Sequence, residues 1–248
     1  MTQFNKEWRE LWATKRAIII LVVMLIFGIL SPLTAKILPD LIGSMGDEEN
    51  ITITITEVTK ADAIQQFVQN IGQMFMFMVV LVSFGMVVNE RERGNMTLMF
   101  SHPISRTGFI LAKFAALALI LALGMIVSGG AAYLYTVILF DAPDIGGFVG
   151  LIVLAYIYLM VFAALGILAS TLGKSNASAI GYLFLFIAVL LFSGVLTDFS
   201  PAGLIEWGGN LALELDASAQ WGALITSIVV IIGAIYGACF ALNQQEIG

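Results

Sequence analysis

The 248-residue chain is 60% hydrophobic and 11% charged, with a mean hydropathy of +0.99 and a formal net charge of −6. That composition lies far outside the soluble globular range and selects a membrane protein. A single His (His102) and a single Cys (Cys239) exclude a His/Cys metal cluster, an internal disulfide and a Ser-His-Asp or Cys-His catalytic set.

The chain opens on Phe4, Trp8, Leu11 and Trp12 at helical spacing, interleaved with Lys6, Glu7, Arg9, Glu10, Lys15 and Arg16. This predicts an amphipathic interfacial helix over 1–16, with Trp8 and Trp12 at the membrane interface. Six apolar segments are then each long enough for a hydrocarbon core of about 30 Å. They run over 17–38, 71–88, 114–139, 147–172, 177–196 and 222–242, and their cores hold no ionisable side chain other than Cys239 and tyrosines. The first is too long for a signal peptide, and Pro32 and Pro39 make no small-residue cleavage site. Cys239, in the last, reads as a small packing residue.

Between the first two spans, the loop 40–62 contains Ile51-Thr-Ile-Thr-Ile-Thr56, an alternation that predicts a short strand. Asn50-Ile-Thr52 matches a glycosylation triplet. Beyond it, Ala61, Ile64, Phe67, Val68 and Ile71 fit one helical face. The segment 197–221 is too broken to span and too apolar for a free loop; it predicts short outer re-entrant helices. Gly146/Gly150 and Gly233/Gly237 recur at the four-residue spacing that permits close helix approach, and intramolecular packing is the expectation. The expected fold is thus an all-α membrane protein, a single transmembrane domain over 1–248.

Six spans place both termini on one side. That side carries nine basic against five acidic groups, net +4; the other carries two against twelve, net −10. The bias in Lys and Arg predicts cytoplasmic termini in a plasma membrane. The acidic outer surface suggests a high-salt habitat, in a prokaryote such as a halophilic archaeon.

Leu168–Ser175 ends in Gly173-Lys174-Ser175 and approaches a phosphate-binding loop. The first Gly is missing and the match straddles the end of a span, so no ATPase site is expected in this chain. Proton-coupled transporters and intramembrane enzymes need ionisable groups within the bilayer, and these spans lack them. The membrane domain must therefore draw its energy from elsewhere.

The island 89–113 interrupts this apolar chain with four of its eleven basic residues and its only His. Glu90-Arg91-Glu92-Arg93 alternates in sign, Gly94 breaks the run, and Leu98, Met99 and Phe100 form an apolar patch. Pro103 stops any helix, Ser105 is placed to cap the next one, and that helix carries Arg106 and Lys113. The expectation is a short helix lying across the inner membrane surface.

Glu90, Glu92, Arg93, Gly94, Pro103, Ile104, Ser105, Arg106 and Lys113, together with the six-span architecture, resemble the ABC-2-type permeases, the membrane subunits of type V ABC exporters. Asn95 departs from the usual Thr, and His102 precedes the Pro. The resemblance implies two permeases, identical or paralogous, with two separate ATPase subunits that bind ATP and Mg; no nucleic-acid partner is expected. It implies that 89–113 docks on the ATPase through Glu90, Arg91, Glu92, Arg93, Gly94, Pro103, Ser105, Arg106 and Lys113. Lys174, in the loop 173–176, would make a second contact. The implied function is efflux of an amphiphilic or lipid-like substrate, drug or peptide. The alternatives are transmission of ATP-driven motion to an extracytoplasmic partner, as in copper-site maturation, and a non-transport scaffold or immunity protein.

Overall fold

A computed structural model describes residues 3–46, 58–92, 105–196, 199–215 and 218–244. Every element of regular structure among them is helical. The helices are α1 (Gln3–Ala13), α2 (Arg16–Gly46), α3 (Lys60–Asn70), a π-helical turn (Ile71–Phe75), α4 (Met76–Ser83), α5 (Gly85–Glu92), α6 (Arg106–Leu139), α7 (Ile145–Leu172), α8 (Asn176–Leu196), α9 (Ala202–Ala212) and α10 (Trp221–Gln244). The alternating run 51–56 lies outside the described residues.

Among the described residues, five stretches are long and apolar enough to cross a membrane: Arg16–Leu38, Lys60–Glu92, Arg106–Leu139, Ile145–Leu172 and Trp221–Gln244. Asn176–Phe192 forms a shorter apolar helix. The second stretch is a single passage made of four pieces, because the π turn and a break at Phe84 interrupt α3, α4 and α5.

The bundle is built around α7, 72% of whose apolar window is buried, against 33% for α2 and 28% for α10. It packs on α4, α5, α6, α8, α9 and α10. Small residues permit this closeness. A Cβ on Gly166 would fall 1.8 Å from the Ser83 hydroxyl of α4, and one on Gly147 would fall 2.1 Å from the Leu211 carbonyl of α9. Gly233, by contrast, faces open space, so the expected packing role fails there: only Gly150 and Gly237 meet a neighbour from another helix, Leu211 and Leu168.

Helix starts follow local chemistry. Asp144 caps α7 by accepting from the Gly147 N–H at 2.6 Å, and Asp62 Oδ2 accepts from the Thr59 N–H at 2.8 Å. Lys15 adopts φ 59°, a left-handed turn that redirects the chain from α1 into α2.

The two ends of the bundle differ in chemistry. At one end, α9 wedges against α3 and α7, with Gly208 over Leu151 and Gly209 over Val68, and a Lys60–Glu214 ion pair of 3.4 Å lies at the surface. At the other end meet α1, the end of α5, the start of α6, the end of α7, the start of α8 and the end of α10.

Candidate functional site

The second end holds most of the ionic interactions of the described residues. Successive residues of a helix point about 100° apart, so Glu90, Arg91 and Glu92 leave α5 in three directions. Each meets a different part of the bundle.

Glu90 points inward. Its Oε1 accepts from Lys113 Nζ at 2.8 Å and from Lys6 Nζ at 3.2 Å. Glu7 completes the group: its Oε2 accepts from Lys113 at 2.7 Å and its Oε1 from Lys6 at 3.2 Å. Glu10 pairs with Lys6 at 3.4 Å. Glu7, Glu90 and Lys113 are 2%, 6% and 1% exposed, so this is a desolvated charge cluster joining α1, α5 and α6. The Phe109 ring closes one side, 4.8 Å from the Lys113 ammonium.

Burial opposes the charge of Lys6, but attraction to Glu7, Glu90 and Glu10 outweighs it and holds the ammonium above its ordinary range. Burial also opposes the charge of Glu10, and the Lys113 and Lys6 ammonium groups outweigh it, holding that carboxyl below its ordinary range. Carboxylate oxygens of Glu7, Glu10 and Glu90 lie within 4.8 Å of one another, the spacing of a cation site. The bridging ammonium groups of Lys113 and Lys6 already supply the cationic charge between them.

Arg91 points to α7. Its guanidinium donates to the carbonyls of Gly173 and, at 3.0 Å, Thr171, groups the end of α7 leaves unpaired. Glu92 reaches α8, where its carboxylate accepts from the Asn176 backbone N–H at 2.8 Å and from the Asn176 side-chain amide. An anion at a helix N-terminus is favoured by the aligned peptide dipoles. Behind both, the Ser170 hydroxyl accepts from the N–H groups of Val87 and Val88, each at 2.9 Å, fastening α5 to α7.

Ser105 caps α6, accepting from the Gly108 N–H at 3.2 Å. Arg106 Nη1 donates to the last carbonyls of α10, Leu242 at 2.9 Å and Asn243 at 3.1 Å. Lys174 is exposed in the turn between α7 and α8. Trp8 is half-buried, and Trp12, beside it in an edge-on pair, is 40% exposed.

Of the residues expected to dock a partner, Glu90 and Lys113 therefore face inward and bind each other. Arg91, Glu92 and Arg106 each bind the backbone of a neighbouring helix, and Lys174 faces outward. Arg93, Gly94 and Pro103 lie outside the described residues. The sequence reading missed Lys6, Glu7 and Glu10 as members of the site. A signal was available: Glu7 sits within the stripe Phe4, Trp8, Leu11, and a carboxylate on an apolar stripe requires a buried partner.

Residues 1–204 match the family model of the ABC-2 family transporter proteins. The chain belongs to the ABC-2 family. It is 25% identical over 180 residues to the uncharacterized transmembrane protein YxlG of Bacillus subtilis (strain 168), covering 72% of this chain and 70% of that protein. It is 30% identical over 127 residues to the probable ABC transporter permease protein NosY of Stutzerimonas stutzeri, covering 50% of this chain and 39% of that one. ABC-2 proteins are membrane subunits of transporters, and the apolar helices of this chain fit that role. In this ABC-2 chain the matched region takes in the whole charged end except the tail of α10.

Proposed function

We propose that this chain is the permease subunit of an ATP-driven exporter, and that its charged end converts the motion of separate ATPase subunits into rearrangement of the helix bundle. The observation that carries this reading is the three-way anchoring of Glu90-Arg91-Glu92. Any force applied to the segment 93–104, directly after these residues, is passed through Glu90 to α1 and α6, and through Arg91 and Glu92 to α7 and α8. Glu90 and Lys113 then act as positioning residues. Partner contact falls to Arg93, Gly94, Pro103 and the exposed Lys174. Two ATPase subunits, holding ATP and Mg, would serve a pair of permeases, identical or paralogous. ATP-driven closure biases a two-state bundle through differential contacts.

The proposal includes six crossings. Helix α8 begins beside Glu92, while α9 and the start of α10 pack at the opposite end, against Leu151, Val68 and Trp207. That placement supports a traverse of the bundle by residues 176–196. Helix α9 becomes the re-entrant element and α1 the interfacial connecting helix. The excess of basic residues at the charged end supports a cytoplasmic location for it, leaving the acidic surface outside, where molar salt would stabilise the protein if the habitat is saline. With apolar spans, the substrate would be amphiphilic or lipid-like.

The test is co-purification with a P-loop ATPase, sought first among proteins encoded beside the gene. Charge reversal at Arg93 and Lys174 is expected to weaken association by about 2–5 kcal/mol for each buried interfacial charge pair broken. Undiminished association and undiminished ATPase stimulation would overturn the assignment.

A further inference from the structure

We infer that the cavity between α8 and the starts of α9 and α10 binds an organic ammonium group, paired with Glu206 and set against the rings of Phe199 and Trp221. The cavity has a volume of about 690 Å³, within the roughly 300–1,000 Å³ of small-molecule sites. Phe199, Ser200, Glu206, Gln220 and Trp221 line it, and Leu191 of α8 forms an apolar edge. Two glycines let the walls close in. A Cβ on Gly222 would overlap the Phe199 ring, and one on Gly203 would overlap the Gln220 side-chain oxygen. Trp207 backs Trp221 edge-on, with ring centroids 5.6 Å apart.

Three observations select the occupant. First, the fixed side-chain charge on this stretch of chain is acidic. Residues 175–248 contain no Lys or Arg, and Asp198 and Asp216, which lie outside the described residues, add acids and no base. Glu206 is exposed and has no hydrogen-bond or ion-pair partner among the described residues, whereas Glu214 is taken by Lys60 at 3.4 Å. Second, Phe199 and Trp221 are 57% and 61% exposed at the cavity, and aromatic faces attract a cation, quaternary ammonium groups above all. A hard metal ion takes six or more oxygen ligands; one carboxylate beside two rings favours an organic cation. Third, the start of α9 offers an anion no free donor. The N–H groups of Ala202, Gly203 and Leu204 already reach the Ser200 hydroxyl at 3.3 Å and the Ser200 and Pro201 carbonyls at 3.0 Å each. Leu191, 66% exposed, continues the wall onto the apolar flank of α8, so an alkyl chain attached to the ammonium has a surface to follow. The ammonium can be the headgroup of a choline or ethanolamine lipid or belong to a soluble amphiphile.

The experiment uses the full chain in vesicles of uncharged glycosyl diacylglycerol, which carries no ammonium group. The probes are a soluble diazirine-bearing alkyltrimethylammonium and its neutral tert-butyl isostere, and crosslinks are mapped by peptide mass spectrometry. Labelling is expected to concentrate on residues 199–206 and 218–222 and to favour the cation about fivefold, the scale of one charge pair with an exposed cation–π contact. Glu206→Gln is expected to abolish that preference and Glu206→Asp to keep it. Trp221→Leu, which keeps an apolar wall, is expected to lower labelling by the cation about threefold. Phosphatidylcholine added to the vesicles suppresses labelling if the site takes a lipid headgroup and leaves it unchanged if the site takes a soluble amphiphile. Equal labelling by both probes in the wild type would overturn the proposal. So would a preference that survives Glu206→Gln, or labelling by the cation spread evenly over α8, α9 and α10. Neither an ATPase nor a direction of transport enters, so the outcome is independent of the permease assignment.

Discussion

Replacing Lys113 by Met tests the charge cluster at its centre. The side chains of Glu7 and Glu90 are 3% and 8% exposed, and both share the Lys113 ammonium as their shortest partner. Met matches the length of the lysine stem but leaves two desolvated carboxylates with only Lys6, which is 41% exposed. Removing one partner of a buried ion pair costs about 3–5 kcal/mol. At about 2–4 °C per kcal/mol for a chain of this size, the melting temperature should fall by roughly 6–20 °C. Cys239 is the only thiol in the chain, so a thiol-reactive dye reads unfolding at a single half-buried position, as an increase in its labelling rate. Glu90→Gln in the Lys113→Met background should recover part of the loss, because it removes one stranded charge; coupling of about 0.5–3 kcal/mol is expected. A shift under about 2 °C for Lys113→Met, or strict additivity of the pair, would refute the cluster as a structural lock.

Other consequences follow from the same geometry. Gly147→Ala places a Cβ against the Leu211 carbonyl and should destabilise by about 1–3 kcal/mol, whereas Gly233→Ala should stay within about 0.5 kcal/mol, both read by thermal unfolding. Docking of α1 should depend on pH at both extremes. Glu10 has its folded pKa below its ordinary 4.5, so its contribution is complete above 4.5 and is lost as pH falls through the depressed value. Lys6 has its folded pKa above its ordinary 10.5, so its contribution is complete below 10.5 and is lost as pH rises through the raised value. Glu90 acts in the opposite sense: burial holds its folded pKa above its ordinary 4.5, so its contribution is complete below 4.5 and is lost as pH rises through the raised value. Protease sensitivity of α1 should therefore rise below the depressed value of Glu10 and above the raised value of Lys6, with a smaller step from Glu90 between them. Ser170→Ala leaves the N–H groups of Val87 and Val88 without their shared acceptor and should cost about 1–3 kcal/mol; Ser170→Thr, which keeps a hydroxyl, should cost less.

Much of the architecture was legible because a bilayer imposes length and polarity rules on single segments. The helical face Ala61–Ile71 and the helix cap at Ser105 were readable from spacing and capping chemistry, and α3 and α6 form there. The π turn at Ile71–Phe75 was not readable, since Ile-Gly-Gln-Met-Phe is compatible with an ordinary α-helix. The packing partner of Tyr158, which reaches the Gly72 carbonyl and the Met76 sulfur beside that turn, is likewise a tertiary fact. In the charged end, sequence located Glu90, Arg91, Glu92, Arg106 and Lys113 but not their direction. Alternating charges on a helix look like a solvated face when the helices around them are unknown. Lys6, Glu7 and Glu10 lie 80 or more residues from Glu90, and Coulombic complementarity over such a separation has no local signature.

The most direct test of a permease driven from its charged end is site-specific photo-crosslinking from position 93 after co-expression with any P-loop ATPase encoded beside the gene. A photoreactive amino acid replacing Arg93 should yield a crosslink to the ATPase subunit whose intensity changes with ATP, while one replacing Thr54, in the loop expected on the opposite face, should yield none. A crosslink from Thr54 with none from position 93 would contradict the account.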